Sequence, residues 1–263
     1  MARAEVITSA KNPLLKDIRR ALSRGTLTED GLCVAETFHL LEEALRSGLQ
    51  TPVVLAAENV RRVVERHIGS LPGVRLLTVP EEMFQELSAT EAAQGVMTLV
   101  RPPHWTLEHV LRGISMVVVL DGVQDPGNAG AMVRAAEAFG ATGVVFLKGT
   151  VSPWNPKTLR ASAGSLFRVP MLDGIDSTVL RSALHQGRTD VYIAVPRGGV
   201  AVRDADLRRR CAIVIGSEGH GVSEEMRGAG VDLHIPTKGV ESLNAGVAAG
   251  ILLYESWRQR AVL

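Results

Sequence analysis

MVVVLDGVQDPGNAGAMVRAAEAFGATGVVFL, residues 116–147, reads as a strand, a glycine-containing loop, a helix and a second strand. The runs 116–120 and 143–147 are short, rich in β-branched residues and apolar at successive positions, as in strands covered on both faces. Residues 128–139 supply the helical crossover that joins parallel neighbours. Downstream, strands are expected at 167–169, 190–195, 211–215 and 232–235, with helices at 156–164 and 243–260. This alternation gives an α/β fold with a mainly parallel sheet. No internal repeat is visible.

Upstream, residues 32–100 alternate apolar runs (53–57, 74–79, 95–100) with helical patterns (36–46, 60–68, 81–87), which indicates a separate small α/β unit. Arg101-Pro102-Pro103-His104 continues neither strand nor helix, because both prolines lack a donor N–H. The expected domains are therefore 1–100, a linker at 101–112, and 113–263. Residues 1–24 hold six cations (Arg3, Lys11, Lys16, Arg19, Arg20, Arg24) against Glu5 and Asp17. A helix after Asn12-Pro13 puts Leu14, Leu15, Ile18 and Leu22 on one arc and Lys16, Arg19, Arg20 and Arg24 on the other. That basic arc is either a solvated face or a phosphate contact.

With 263 residues, 46% hydrophobic and 22% charged, the chain buries a sizeable core and is neither disordered nor fibrous. The net charge of +1 confines any nucleic-acid footprint to a local patch. Cys33 and Cys211 stand far apart, which argues against a disulfide framework or four-ligand zinc and for a reducing compartment. The N-terminus lacks an apolar signal core and no run spans a bilayer, so a cytoplasmic protein is expected.

Three loops carry polar chemistry at strand ends, where open α/β sheets build their ligand crevice. In the first, residues 121–140, Asn128 suits a helix N-cap and Arg134 suits an ion pair with Glu137, or both face a ligand. This loop lacks the GxGxxG dinucleotide fingerprint. In the second, IGSEGHGVSEEM, residues 215–226, three glycines permit close backbone approach, Glu218 has no evident packing role, and Ser223 suits a helix cap. His220 reads as an exposed loop residue without a partner at metal spacing. In the third, HIPTKGVESLNAGVAAGILLYE, residues 234–255, Ser242 or Asn244 can cap the last helix. The small residues 245–250 there call for another backbone packed closely.

These loops resemble the three signature motifs of the SpoU/TrmH family of RNA ribose 2′-O-methyltransferases. The first matches at Asn128, Gly130, Arg134 and Gly140, and the second at Ile215, Gly216, Glu218 and Gly221. The third matches at Ile235, Pro236, Gly239, Ser242, Leu243 and Asn244. NPKTLRASAGSLFRVP (155–170), ETFHLLEEAL (36–45) and AQGV (93–96) are also similar to family features. One departure is Ala245-Gly246 after Asn244, where the family commonly continues with valine and another small residue.

The resemblance implies a SPOUT fold with a C-terminal deep trefoil knot, preceded by a small α/β RNA-binding domain. It implies S-adenosylmethionine held by Val195, Pro196, Gly198, Ile215, Gly216, Ser217, Gly219, Ile235, Ser242 and Leu243, without a metal. Arg134 would steer the nucleotide phosphate and lower the 2′-hydroxyl's pKa, with Asn128, Glu218 and Asn244 fixing Arg134 and the ribose. Lys16, Arg19, Arg20, Arg24, Arg160 and Ser162 would reach RNA. The family also implies a homodimer with the site at the subunit interface, and ribosomal RNA ahead of transfer RNA as substrate. A non-catalytic RNA-binding assembly factor and a nucleotide-dependent oxidoreductase are the rival readings. The intact motif residues oppose the first, and the missing fingerprint opposes the second.

Overall fold

A computed structural model describes residues 5–69, 71–90 and 92–261. The chain forms two compact units. One comprises the residues up to Pro103 together with Trp154–Phe167, and the other His104–Pro153 with the residues from Arg168 onward.

The first unit contains strands β1 (Glu5–Val6), β2 (Cys33–Glu36), β3 (Val53–Ala57), β4 (Arg75–Val79) and β5 (Val96–Val100), interleaved with helices α1 (Pro13–Arg24), α2 (Phe38–Arg46), α3 (Arg61–Ile68) and α4 (Glu81–Leu87). Their sheet order is β1-β4-β3-β5-β2. β5 runs antiparallel to both β3 and β2, and the remaining pairs are parallel. α1 starts where Asn12 Oδ1 accepts the Leu14 N–H at 2.9 Å and ends at Gly25 in the left-handed region, φ 62°. Its Leu15, Ile18 and Leu22 join Leu55, Leu77 and Phe84 in the core. Glu36 closes β2 rather than opening the expected helix, because Thr37, at φ 131°, turns the chain and caps α2.

The second unit contains β6 (Met116–Asp121), β7 (Gly143–Leu147), β8 (Met171–Ile175), β9 (Asp190–Ala194), β10 (Val200–Ala201), β11 (Cys211–Gly216) and β12 (Val231–His234). The sheet order is β10-β12-β9-β11-β6-β7-β8, with every pair parallel. Helices α5 (Leu107–Val110), α6 (Pro126–Ala138), α8 (Ser177–Gln186), α9 (Glu224–Arg227) and α10 (Ala245–Arg260) belong to this unit, whereas α7 (Pro156–Ser162) belongs to the first. Every residue of β6, β7 and β11 is buried, as two-faced apolar runs require.

Three expectations change. Residues 167–169 are not a strand: Ser165–Phe167 is a single 3-10 turn, and β8 begins only after Pro170, which has no N–H to donate but whose carbonyl accepts from Val144 at 2.9 Å. The division at 113 fails for Trp154–Phe167, which packs in the first unit. There α7 buries Pro156, Thr158, Leu159 and Ser162, and Gly164 at φ +88° leaves room for Glu43, which an added Cβ would meet at 2.6 Å. The close approach expected at 245–250 occurs at Gly246, where an added Cβ would lie 3.5 Å from Ala131 of α6, but not at Gly250, which faces open space. Tighter approaches occur at Gly216, Gly199 and Gly230, where a Cβ would lie 2.0–2.2 Å from backbone atoms of Gly221, Asp232 and Val191.

Candidate active site

β6 and β11 lie side by side with Asp121 opposite Gly216, so the first two motif loops leave adjacent strand ends. Asp125 Oδ1 accepts the Asn128 N–H at 2.6 Å and caps α6. Asn128 is therefore the third helical residue rather than the cap, and its amide is free to cross to the second loop. Its Nδ2 donates to Glu218 Oε1 at 2.7 Å. Asn244 caps α10 by accepting the Val247 N–H at 3.2 Å, and its Nδ2 lies 3.0 Å from Asn128 Oδ1 and 3.2 Å from Glu218 Oε1. Two amides, from the first and third motifs, thus close on one carboxylate oxygen of the second, a charge-assisted arrangement stronger than neutral amide pairing.

The second loop folds tightly on itself, with Ser217 and Gly221 exchanging backbone hydrogen bonds at 3.1 and 2.9 Å. Buried Asp121 ties it to the first motif, its Oδ2 accepting from Ser223 N at 2.8 Å and Ser223 Oγ at 2.7 Å. Ser223 stands at the α9 N-cap position, but its hydroxyl serves Asp121 instead of capping the helix.

A cavity of about 310 Å³ opens among the ends of β9, β11 and β12 and the start of α10. Every residue expected to hold the cofactor lines it except Gly198, which borders a neighbouring cleft of about 460 Å³ with His234 and Gly239. Sequence reasoning missed Arg227 and Leu252 in its wall. The spacing Ala245, Ala248, Leu252 along α10 marks one helical stripe and could have flagged Leu252. Arg227 carried no such signal; its Nε donates to Val222 O at 3.1 Å.

Arg134 stands apart from the polar ring. It is exposed and has no hydrogen bond or ion pair among the described residues. Six residues beyond Asn128 on one helix, it lies about 9 Å along the axis and roughly 120° round from it. The expectation that Asn128, Glu218 and Asn244 hold Arg134 is thus corrected. The alternative ion pair with Glu137 is absent too, because Arg168 takes that carboxylate at 2.5 and 3.0 Å.

In the first unit, Lys16, Arg19 and Arg24 are exposed on α1. Arg20 is not free: Asp17 holds its Nη2 at 2.5 Å and its Nε at 3.1 Å. Arg160 lies 3.9 Å from Glu36, whose side chain is almost wholly buried. Ser162 is fully buried and donates to Leu159 O at 2.8 Å, so it does not reach RNA. Arg3 lies outside the described residues. No group of three or more His, Cys, Asp or Glu side chains placed to hold a metal occurs among the described residues.

The SpoU rRNA Methylase family model matches residues 115–254, the span that contains all three motif loops. The chain belongs to the SpoU rRNA methylase family. The MRM3-like substrate binding domain model matches residues 12–98. The chain is 31% identical to the 23S rRNA (guanosine(2553)-2′-O)-methyltransferase RlmP of Bacillus subtilis, covering 94% of this chain and 97% of that one. It is similar to the AdoMet-bound rRNA methyltransferase of Sinorhizobium meliloti, with 28% identity, TM-score 0.81, and 97% and 98% coverage. AviRb of Streptomyces viridochromogenes shares the fold at TM-score 0.85, with 24% identity and 95% and 99% coverage.

SpoU methyltransferases use S-adenosylmethionine, and the cavity suits it. Ile235, Leu243 and Leu252 supply apolar walls for a flat adenine, and the adjoining strand ends supply main-chain donors and acceptors. Arg227 adds a cation to the lining, which suits a carboxylate-bearing ligand.

Proposed function

We propose that this protein methylates a ribose 2′-hydroxyl of ribosomal RNA. The Asn128–Glu218–Asn244 ring beside the apolar cavity carries the reading. S-adenosylmethionine supplies an electrophilic methyl on a sulfonium. Val195, Pro196, Ile215, Gly216, Ser217, Gly219, Ile235, Ser242 and Leu243 bind it in the cavity, with Gly198 at the adjoining cleft.

The ring fixes the first turns of α6 and α10 against the second loop, so the ribose meets a preorganised polar wall. Ile235, Leu243 and Leu252 exclude water, which strengthens each electrostatic contact. A guanidinium keeps its own proton to about pH 12, so Arg134 steers the phosphate and acidifies the 2′-hydroxyl rather than acting as base.

Arg134 serves the site of a second copy. α10 leaves Val247, Ile251, Tyr254 and Trp257 exposed, and Phe139 stacks against Tyr254 and Trp257 at 5.7 and 6.4 Å. Such an aromatic surface suits a symmetric homodimer built on α6 and α10. The segment between β12 and α10 makes the family's deep trefoil knot. Lys16, Arg19 and Arg24 contact RNA phosphates, whereas Arg160 is turned toward buried Glu36.

No helix among the described residues is long and apolar enough to cross a membrane, and Cys33 and Cys211 are buried free thiols. Both facts suit the cytoplasm. Ribosomal RNA is favoured because the RlmP relative is named for 23S rRNA and aligns along nearly its whole length. The test is incubation with methyl-labelled S-adenosylmethionine and unmodified ribosomal or transfer RNA, followed by alkali. Label in alkali-resistant dinucleotides from ribosomal RNA is expected; label from transfer RNA alone overturns the substrate, and cofactor binding without label from any RNA overturns the enzyme.

A further inference from the structure

Arg227 closes the short helix α9 and stands in the wall of the cofactor cavity. Glu224 lies three residues before it, the spacing at which Asp17 and Arg20 pair in α1. In α9 that pair does not form: Arg227 makes no ion pair among the described residues. Its Nε donates instead to Val222 O at 3.1 Å, and its Nη2 passes over Gly221, where an added Cβ would come within 3.2 Å of it. The second motif loop thus orients the guanidinium through one N–H and leaves both terminal nitrogens without a protein acceptor among the described residues.

An arginine oriented by a neutral carbonyl keeps its whole charge for another partner. Arg227 is the one lysine or arginine that lines the cavity among the described residues, and the carboxylate in the same lining, Glu218, has its Oε1 held by the two asparagine amides. Ile235, Leu243 and Leu252 form the apolar part and suit the adenine, so the charged end of the ligand falls to the part walled by the second loop. S-adenosylmethionine ends in an α-amino acid, and the two oxygens of its carboxylate match the paired terminal N–H groups of a guanidinium.

We propose that Arg227 anchors the α-carboxylate of S-adenosylmethionine and makes the site selective for this amino-acid form over adenosyl sulfonium compounds that lack the carboxylate. The proposal rests on S-adenosylmethionine as the methyl donor and assigns the residue that selects it. The carboxylate is remote from the methyl carbon and is unchanged by transfer, so the contact is alike in ground and transition states. Its loss therefore falls chiefly on KM for the cofactor.

The experiment is equilibrium titration of the full-length protein with S-adenosylmethionine and with decarboxylated S-adenosylmethionine, which lacks that carboxylate alone. Wild type is expected to bind the first about 10-fold tighter, the effect of one charge-assisted contact. Arg227→Gln removes the preference: affinity for S-adenosylmethionine falls about 10-fold, and affinity for the decarboxylated ligand is retained, which reports an intact cavity. Arg227→Lys recovers part of the preference, since an ammonium keeps the charge and loses the paired geometry. Equal loss of both ligands overturns the proposal and makes Arg227 a wall residue. A preference that persists in Arg227→Gln overturns it in favour of main-chain donors. Unchanged cofactor affinity with a raised KM for RNA overturns it in favour of a phosphate contact. Failure of the methyl-transfer reading is distinct: the two ligands are discriminated in the titration while no RNA takes up label. Absence of S-adenosylmethionine binding to wild type overturns both readings together.

Discussion

Two polar surfaces, one around α1 in the first unit and the motif ring in the second, spend their side chains in opposite ways. In the first, arginines are drawn into internal pairs, Arg20 with Asp17 and Arg160 beside buried Glu36, which leaves Lys16, Arg19 and Arg24 free. In the second, short neutral amides from distant loops converge on Glu218, and the one arginine of the first motif, Arg134, is left unengaged. A long charge on a helix costs little to hold in water and acts over a broad phosphate surface. Small amides on strand-end loops hold geometry within narrow limits, which positioning for displacement requires.

The contrast breaks first at Arg134. Arg134→Ala is expected to lower kcat at least about 100-fold, as loss of a preorganised electrostatic donor does, while S-adenosylmethionine binds as before. Equal loss of binding and turnover, read by equilibrium titration beside the label assay, would make Arg134 structural.

Replacing Lys16, Arg19 and Arg24 together by glutamine should weaken RNA binding at every sequence and reduce the salt slope by roughly 0.7 for each phosphate that is no longer neutralised. Arg20→Gln should leave the slope intact, since Asp17 already holds that guanidinium. Titrations across a range of salt concentrations compare the two, and an identical slope change would remove the distinction between free and paired cations.

Asn244→Ala should cost about 1 kcal/mol through removal of the α10 cap. A drop in turnover beyond the unfolded fraction would assign the remainder to the ring, and a drop matching it would reduce Asn244 to a cap. Ser162→Ala should leave RNA affinity unchanged, because the hydroxyl is fully buried on Leu159 O.

The thiols come into play only at alkaline pH. Burial pushes the Cys33 thiol up to about 12, and Cys211 is raised by the same cause. Native protein should resist thiol reagents at pH 8. The folded state keeps Cys33 protonated, so its contribution is whole below the unfolded thiol's pKa and is lost as pH rises toward about 12. Each pH unit in that window costs about 1.4 kcal/mol. Melting temperatures measured against pH in wild type and Cys33→Ala should diverge there.

The parallel sheet was legible because β6, β7 and β11 are apolar on both faces, a pattern few other settings produce. α8 was not, since only Leu180 and Leu184 are buried in an otherwise polar segment. The cofactor wall came from the resemblance of the motif loops, but Arg227 did not, because its place depends on how the second loop folds. Ser162 was misread for a related reason: a serine between alanines looks exposed until α7 is known to turn that side inward. Arg20 and Asp17 stood at ion-pair spacing, yet helix periodicity alone put every cation of α1 on one free face.

The affiliation of Trp154–Phe167 limits how this protein can be taken apart. The chain passes between the units at Pro103, again at Trp154 and again after Phe167, so neither unit is a contiguous stretch of gene. Truncation at the Arg101–His104 segment strips α7 from β2 in the N-terminal fragment and leaves its buried residues without their neighbours in the other. A chimera that exchanges RNA readers between relatives must therefore transplant two segments at once. Insertions or deletions fixed on only one side of that exchange would register as misfolding rather than as altered specificity.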